Sequence, residues 1–214
     1  MSVKPTHLGL DISKVEVMRN VKILTEKADK YSNFLRLDME SSKVTDDTIN
    51  IHNFFKSKNA NIGIVVQAYL FRTQTDLDIL SRYPESNIRI CKGIYNEKDT
   101  IAYQNKSDIT KNFIISAKKM AKKNVFCAYA THDKHLITEL VSWIKNEKIP
   151  KELFEFQCLY GVPMDGMLEK LKEDGFGVRI YVPFGPDWYD YSLRRLNENP
   201  KIASYVLRNF FKNE

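Results

Sequence analysis

Short runs of β-forming residues alternate with amphipathic segments along this 214-residue chain, and this alternation limits its fold more than any other feature. The runs are rich in Val, Ile, Phe and Tyr and are bounded by turn residues, as strands are. The candidate strands are Ser2–Thr6, Phe34–Met39, Ile62–Tyr69, Asn87–Lys92, Val125–Thr131, Glu155–Leu159 and Gly177–Val182. Strands that alternate with helices at a spacing of roughly 25–40 residues predict parallel βαβ units.

The segments between these strands carry start and stop signals of helices. Ser13 followed by Glu16 fits a capping box. Thr75 with Asp78 is a second candidate helix start, and Gly175 is placed as a C′ glycine after an apolar stripe. Each strand is therefore predicted to be followed by a helix that packs back on the sheet.

Polar side chains at the strand ends favour a barrel over an open sheet. Almost every strand has a chemically capable residue at or near its carboxyl end: Lys4, Asp38, Gln67, Lys92, His132, Gln157 and Tyr181. In a barrel these ends converge on one mouth, whereas an open sheet spreads them along an edge. No GxGxxG follows a strand and no P-loop occurs, which argues against a Rossmann nucleotide site. The predicted fold is an α/β (βα)8 TIM-like barrel, with about seven of the eight strands in residues 1–214.

Composition excludes several other classes of protein. Hydrophobic residues make up 43% of the chain and charged residues 28%, which is typical of one globular domain. The net charge of +6 comes largely from scattered lysines and indicates a solvated surface, with weak attraction to anionic membranes as the sharper alternative. A nucleic-acid-binding function would rest on this charge alone, since no recognition motif accompanies it. The three cysteines form no CxxC pair, so they are interpreted as buried thiols in a reducing compartment, with no metal site.

The last segment carries a constellation suited to a small carboxylate. If the chain after Trp188 is helical, Tyr191, Arg194, Arg195 and Glu198 share one face. Adjacent guanidinium groups can hold a planar anion through bidentate hydrogen bonds. A surface pair of arginines bound to local acids is the alternative.

Three other constellations leave structural and functional interpretations open. Lys4 and Asp38 end neighbouring strands and could form a buried ion pair, either catalytic or purely structural. His132 at a strand end is either functional or a satisfied structural histidine. Glu155 and Gln157 share one strand face, and a layer of interior hydrogen bonds is the preferred interpretation.

Read in order, these segments resemble the proline dehydrogenase family over essentially the whole chain. Each motif is weak alone, but seven or eight in the right order are specific. The motifs are Ser2-Val-Lys-Pro-Thr-His-Leu-Gly, Leu37-Asp-Met-Glu, Val66-Gln-Ala-Tyr-Leu, Ile88-Arg-Ile-Cys-Lys-Gly-Ile-Tyr, Ala130-Thr-His-Asp, Glu155-Phe-Gln-Cys-Leu-Tyr-Gly-Val, Arg179-Ile-Tyr-Val-Pro-Phe-Gly and Tyr191 through Glu198.

The resemblance implies an enzyme that oxidises L-proline to 1-pyrroline-5-carboxylate, with hydride transfer from proline C5 to N5 of FAD. Arg194 and Arg195 look like the clamp on the proline carboxylate, and Lys4, held by Asp38, looks like a further substrate contact. The residues that look catalytic are Asp38, Arg89 and Tyr181. Tyr181 and Tyr191 look like the walls around the pyrrolidine ring. The residues that look like FAD contacts are Met39, Gln67, Arg89, Lys92, Gly93, Ile94, Thr131, His132 and Glu198.

The resemblance also implies partners and a location. Electrons are expected to pass to a quinone or another acceptor, and the product to a pyrroline-5-carboxylate dehydrogenase partner. The expected location is the cytoplasm, with peripheral association at the inner face of the membrane. Lys4 and His7 interrupt any secretory h-region near Met1, and no apolar run is long enough to span a bilayer.

Two departures from the family pattern stand out. Ile94 occupies a position where the family usually has alanine beside the flavin. The family's first strand and preceding helical segment have no counterpart before Lys4, so the first βα unit is expected to be missing from residues 1–214. A non-catalytic barrel remnant is therefore the alternative function, and a lyase with Lys4 or Lys92 as Schiff base is a more distant one.

Overall fold

The computed structural model of the protein describes residues 1–185, whose strands form one curled parallel sheet, a half-barrel. The strands pair in sequence order: β1 (Ser2–Val3), β2 (Leu35–Leu37), β3 (Ile62–Gln67), β4 (Asn87–Cys91), β5 (Phe126–Ala130), β6 (Phe154–Leu159) and β7 (Val178–Tyr181). Every predicted strand is confirmed, although several are shorter than predicted. Within residues 1–185, β1 and β7 are the two edges and do not pair with each other.

The helices lie between successive strands, as the parallel topology requires. They are α1 (Lys14–Lys30), α2 (Thr45–Lys56), α3 (Thr73–Leu80), α4 (Lys106–Lys122), α5 (Lys134–Asn146) and α6 (Met167–Glu173). None of these six helices is both long and apolar enough to cross a membrane.

The predicted helix signals are correct at two sites and wrong at one. The Ser13 hydroxyl accepts a hydrogen bond from the Glu16 amide at 3.1 Å, which confirms the N-cap of α1, but the Ser13 amide donates to the Gly9 carbonyl, so the reciprocal bond of the capping box does not form. Gly175 follows α6 with φ of +76°, the left-handed conformation of a C′ glycine. Thr75 does not open α3, because the helix begins at Thr73, whose hydroxyl donates to the Gln67 carbonyl at 2.6 Å.

The core lies between the outer face of the sheet and the helices. Leu35, Leu37 and Ile62 are fully buried and pack with Val17 and Val21 of α1. A larger cluster joins the other strands to α3, α4 and α5. Because side chains alternate along a strand, the residues between these apolar positions face the interior of the curled sheet, here called the lumen.

Two of the three cysteines are buried, as predicted, and the third is half-buried. Burial raises the pKa of Cys158 to about 11 and that of Cys127 well above its usual value. Cys91 is half-buried as a residue, and burial of its thiol raises its pKa to about 11. All three thiols are therefore protonated at neutral pH, which makes them poor nucleophiles.

His52 on α2 makes stability depend on pH. Its side chain is fully buried, and burial lowers its pKa to about 4. The unfolded imidazole binds a proton near pH 6.5, so the unfolded state binds more protons than the native state between about pH 4 and 6.5. The free energy of unfolding should therefore fall by about 3 kcal/mol as the pH drops through this window.

Urea unfolding at pH 4.5 and 6.5 tests this prediction, with His52→Leu as the comparison. The variant should show a shallower pH dependence because it has no proton to bind at this position. Equal slopes for the two proteins would show that His52 does not carry the effect.

Candidate active site

The predicted site residues within residues 1–185 lie on the same side of the sheet. Lys4 and Asp38 follow β1 and β2, Gln67 ends β3, Lys92 follows β4, and Tyr181 ends β7. Since all seven strands run parallel, these positions lie at the carboxyl mouth of the half-barrel.

Arg89 connects strands from opposite sides of the lumen. Its Nη1 donates to Asp38 Oδ1 at 2.8 Å, its Nε donates to Gln157 Oε1 at 2.6 Å, and its Nη2 donates to the Ser2 hydroxyl at 2.9 Å. Its guanidinium carbon lies 5.3 Å from the centre of the Tyr181 ring. One nearly buried side chain on β4 therefore ties together β1, the end of β2, β6 and β7.

Asp38 is the carboxylate at the centre of this network. Burial raises the pKa of Asp38 above its usual value, although the Arg89 charge and the Tyr181 hydrogen bond act in the opposite direction. The Tyr181 hydroxyl donates to Asp38 Oδ2 at 3.3 Å, so the two carboxylate oxygens have different donors. A buried ion pair of this kind costs desolvation free energy, which favours a functional role.

The predicted ion pair between Lys4 and Asp38 is wrong. In the described part of the chain, Asp38 pairs with Arg89, and Lys4 acts on it only weakly through its charge. Arg89 reaches Asp38 because its long side chain crosses the lumen, a geometry that neighbouring strand ends do not reveal.

A second polar layer extends the network across β6 and β7. The Gln157 amide donates to Glu155, and Arg179 binds both Glu155 oxygens at 2.8 and 3.0 Å. Burial pushes the pKa of Glu155 upward, but Arg179 and Gln157 bring it below its usual value. The interior hydrogen-bond layer predicted for Glu155 and Gln157 is confirmed.

Arg36 lies deeper in the lumen, on β2. It is 4% exposed, and its Nη2 donates to Asn87 Oδ1 at 2.6 Å. Its Nη1 is buried without a hydrogen-bond partner among residues 1–185. Burial, followed by the charge of Arg89, lowers the pKa of Arg36 to about 9. The floor of the lumen is therefore electropositive beneath Arg89.

Lys92 lies on another side of the mouth and is already paired. Its ammonium group contacts Asp133 Oδ2 at 2.5 Å and the Thr110 hydroxyl at 3.1 Å. Asp133 also caps α5, because its other oxygen accepts from the His135 and Leu136 amides. Burial would raise the pKa of Asp133, but Lys92 and the capped amides lower it.

The segment after Lys92 turns sharply. Gly93 has φ of +106°, a conformation that favours glycine, and a Cβ there would lie 2.2 Å from the Tyr69 ring. Ile94 is 53% exposed, so its side chain does not fill the core. This backbone turn is therefore held against an aromatic ring on one side.

The remaining predicted residues lie around the same mouth. Gln67 is buried, and its side-chain amide donates to the Glu40 carbonyl at 2.8 Å. Met39, which directly precedes Glu40, is also buried. The Thr131 hydroxyl accepts from the Asp133 amide at 3.1 Å. His132 Nε2 accepts a hydrogen bond from the Leu159 amide at 2.9 Å. In the neutral imidazole, the proton is therefore on Nδ1.

The constellation predicted for the last segment lies outside the described residues. It comprises Tyr191, Arg194, Arg195 and Glu198. Their assignment remains a prediction.

Five residues of the described site were missed by sequence reasoning. They are Ser2, Arg36, Glu40, Asp133 and Arg179. Two of them carried a usable signal. Arg179 and Tyr181 alternate on β7 as Glu155 and Gln157 do on β6, and Asp133 precedes a helix as an N-cap residue.

Comparison with known proteins places this chain in a family. The family model described as proline dehydrogenase matches residues 1–208. The chain is 34% identical to proline dehydrogenase 2 of Bacillus subtilis over 212 residues, which are 99% of this chain and 69% of that protein. A proline dehydrogenase of Deinococcus radiodurans is 34% identical over 91% of this chain and 63% of its own length.

Solved structures agree with the sequence comparisons. Proline utilization A from Bdellovibrio bacteriovorus, inactivated by N-propargylglycine, aligns with a TM-score of 0.81 and 25% identity. The alignment covers 92% of this chain and 24% of that much longer one. A Bradyrhizobium japonicum proline utilization A, 21% identical with a TM-score of 0.79, shows the same fold. This chain belongs to the proline dehydrogenase family.

Proposed function

We propose that this protein oxidises L-proline to 1-pyrroline-5-carboxylate with FAD as its cofactor. The observation that carries the proposal is the arginine network at the barrel mouth. Arg89 is nearly buried, is fixed by three hydrogen bonds and is paired with Asp38 on a chain of the proline dehydrogenase family. FAD, when bound, accepts the hydride that leaves C5 of proline and so supplies the redox chemistry that side chains lack.

The chemical groups at the mouth suit a flavin nucleotide. Gly93 places bare backbone at the turn after β4, where Tyr69 leaves no room for a side chain on its own side. Lys92, Thr131 and His132 place a cation, a hydroxyl and an imidazole at the ends of β4 and β5, and these groups suit phosphate and ribose oxygens. We assign these residues, with Met39, Gln67, Ile94 and Glu198, to the cofactor.

In this proposal, Arg89 stabilises the negative charge that develops at the reaction site. Its guanidinium is held rigidly by Asp38, Gln157 and Ser2, so it needs no reorganisation when negative charge develops nearby. Both cations are paired with a carboxylate, but Lys92 is the weaker candidate because its side chain is 30% exposed, against 10% for Arg89, so solvent screens its charge more. The structure therefore supports Arg89 over Lys92 as the cation that stabilises a reduced, anionic partner.

The substrate side of the proposal uses aromatic and cationic residues. The Tyr181 ring lies over Arg89 at the mouth and can form a wall against an apolar ring such as pyrrolidine. Lys4, Arg194 and Arg195 are proposed to bind the proline carboxylate, with Tyr191 as the second wall. A fixed substrate geometry is the main catalytic contribution expected from these residues.

The further steps are also proposals. Electrons are proposed to pass to a quinone or another acceptor, with peripheral contact at a membrane surface where the acceptor is a membrane quinone. The product passes to a pyrroline-5-carboxylate dehydrogenase partner. The proposed location is the cytoplasm, at the inner face of the membrane.

Flavin absorbance tests the central proposal. Purified protein reconstituted with FAD should be yellow and retain the flavin through gel filtration. Anaerobic L-proline should bleach the visible absorbance, while D-proline at the same concentration should not. A colourless protein, or a flavin that L-proline leaves oxidised, contradicts the proposed function and supports a non-catalytic member of the family.

A further inference from the structure

A small hydrophobic cluster at the carboxyl mouth is separate from the barrel core. It consists of Tyr69, Leu70 and Ala102, with Ile101 and Ile109 packed against it. Tyr69 is 6% exposed, yet its ring belongs to this cluster and not to the main core. The ring therefore organises the loop residues 92–105, which connect β4 to α4.

The backbone of Tyr69 fixes both ends of this loop. Its amide donates to the Lys92 carbonyl at 2.9 Å, and its carbonyl accepts from the Tyr103 amide at 2.7 Å. An antiparallel bridge between Leu70 and Ala102 continues the contact. One short segment after β3 therefore holds the loop at its first residue, Lys92, and near its end, at Ala102 and Tyr103.

The ring of Tyr69 fixes the turn inside the loop. A Cβ at Gly93 would lie 2.2, 2.4 and 2.6 Å from three ring atoms, so the ring lies directly against the glycine Cα. Gly93 is in the left-handed region, which makes this close approach possible. The turn cannot move toward Tyr69 without a clash, and the ring bounds its position on that side.

The hydroxyl of Tyr69 is not the part that makes this contact. The atoms against Gly93 are ring carbons, and burial raises the pKa of Tyr69 well above its usual value, so the side chain stays neutral. A phenylalanine ring provides the same surface, whereas a branched aliphatic side chain does not.

We propose that Tyr69 is a positioning residue for the cofactor: its ring holds Gly93, and through it the Lys92–Ile94 turn, in the geometry that binds the flavin nucleotide. This inference rests on the proposed FAD function, and it adds a residue that acts through the turn without requiring contact with the cofactor.

Three variants separate positioning from general stability. Tyr69→Leu removes the flat ring but keeps an apolar side chain, and Tyr69→Phe keeps the ring. Tyr129→Leu is the matched control, because Tyr129 is 1% exposed and lies in the main core. The readouts are the Kd for FAD, measured by quenching of flavin fluorescence, and amide hydrogen exchange of residues 92–103.

Tyr69→Leu should raise the Kd for FAD by about tenfold or more. Its amides in residues 92–103 should exchange faster than those of the parent protein, measured relative to the helices. Tyr69→Phe should stay within about twofold of the parent protein. Tyr129→Leu should lower thermal stability yet leave both readouts unchanged. If Tyr69→Leu fails to fold, Tyr69→Met, which also lacks the flat ring but adapts better to an irregular space, should raise the Kd for FAD and speed exchange in the same way.

Two outcomes overturn the inference. One is an unchanged Kd and unchanged exchange in Tyr69→Leu, and the other is an equal loss in Tyr129→Leu. If the parent protein itself does not bind FAD, the proposed cofactor is wrong. The exchange data on residues 92–103 then still decide whether Tyr69 holds the turn.

Discussion

Arg89→Met is expected to lower kcat/KM for proline by about 10²-fold or more, because it removes a fixed cation from the reaction site. The same change leaves Asp38 buried without its cation and leaves Gln157 without its donor. Breaking a buried ion pair in this way should reduce the free energy of unfolding by about 3–5 kcal/mol. Steady-state kinetics and urea unfolding at pH 7 measure the two effects.

The pH dependence of unfolding identifies the cause of this instability. Asp38 already has a raised pKa, and loss of Arg89 should raise it further. The native state of the variant then binds more protons than its unfolded state. The loss of unfolding free energy relative to the parent protein should therefore shrink as the pH falls through the raised pKa of Asp38. Arg19→Met is the control, because Arg19 is a surface arginine paired with Glu16. A loss of unfolding free energy that does not vary with pH would show that the unpaired Asp38 carboxylate is not its cause.

Asp38→Ala should have the second largest effect. Arg89 keeps its bonds to Gln157 and Ser2, but it loses the carboxylate that orients Nη1. We expect kcat/KM to fall by about 10–10²-fold, and the free energy of unfolding to fall by about 3 kcal/mol. Asp38→Asn, which keeps an acceptor for Arg89, should show a smaller fall in both kcat/KM and the free energy of unfolding.

A double-mutant cycle separates the pair from its surroundings. If Arg89 and Asp38 act as a unit, the double variant should lose less unfolding free energy than the two single variants together. The loss in the double variant should be about 2 kcal/mol smaller than the sum of the losses in Arg89→Met and Asp38→Asn. Asp78→Ala is the matched control, because this exposed carboxylate also forms ion pairs, with Lys119 and Lys123. Additive losses, or an activity loss in Asp78→Ala equal to that in Asp38→Ala, would contradict a special role for the pair.

The fold was largely predictable because strand composition and helix spacing are local signals. Each predicted strand appears, and the interior layer of Glu155 and Gln157 follows from simple alternation along β6. The start of α3 was not predictable in the same way. Thr75 satisfies the sequence rule for a cap, but the Thr73 hydroxyl instead binds the Gln67 carbonyl at the end of β3.

Most residues of the site could be predicted from the sequence, but most of the ion pairs and hydrogen bonds that join them could not. Strand ends identify Asp38 and Tyr181 as side chains at the mouth, whereas Arg89 lies in the middle of β4 and was predicted only from the family resemblance. The partner of Asp38 was assigned to Lys4 by strand adjacency. The actual partner comes from β4, because the curvature of the sheet brings Arg89 across the lumen. Curvature is a property of the assembled sheet and leaves no local pattern in the sequence.

The reach of Arg89 also has a consequence for the order of folding. Its partners Asp38, Gln157 and Ser2 are 51, 68 and 87 residues away along the chain. The βα units can form through local contacts, whereas these bonds require nearly the whole sheet to be in place. The mouth is therefore expected to take shape after the transition state for folding. Substitutions at Arg89 should accelerate unfolding and leave the folding rate nearly unchanged.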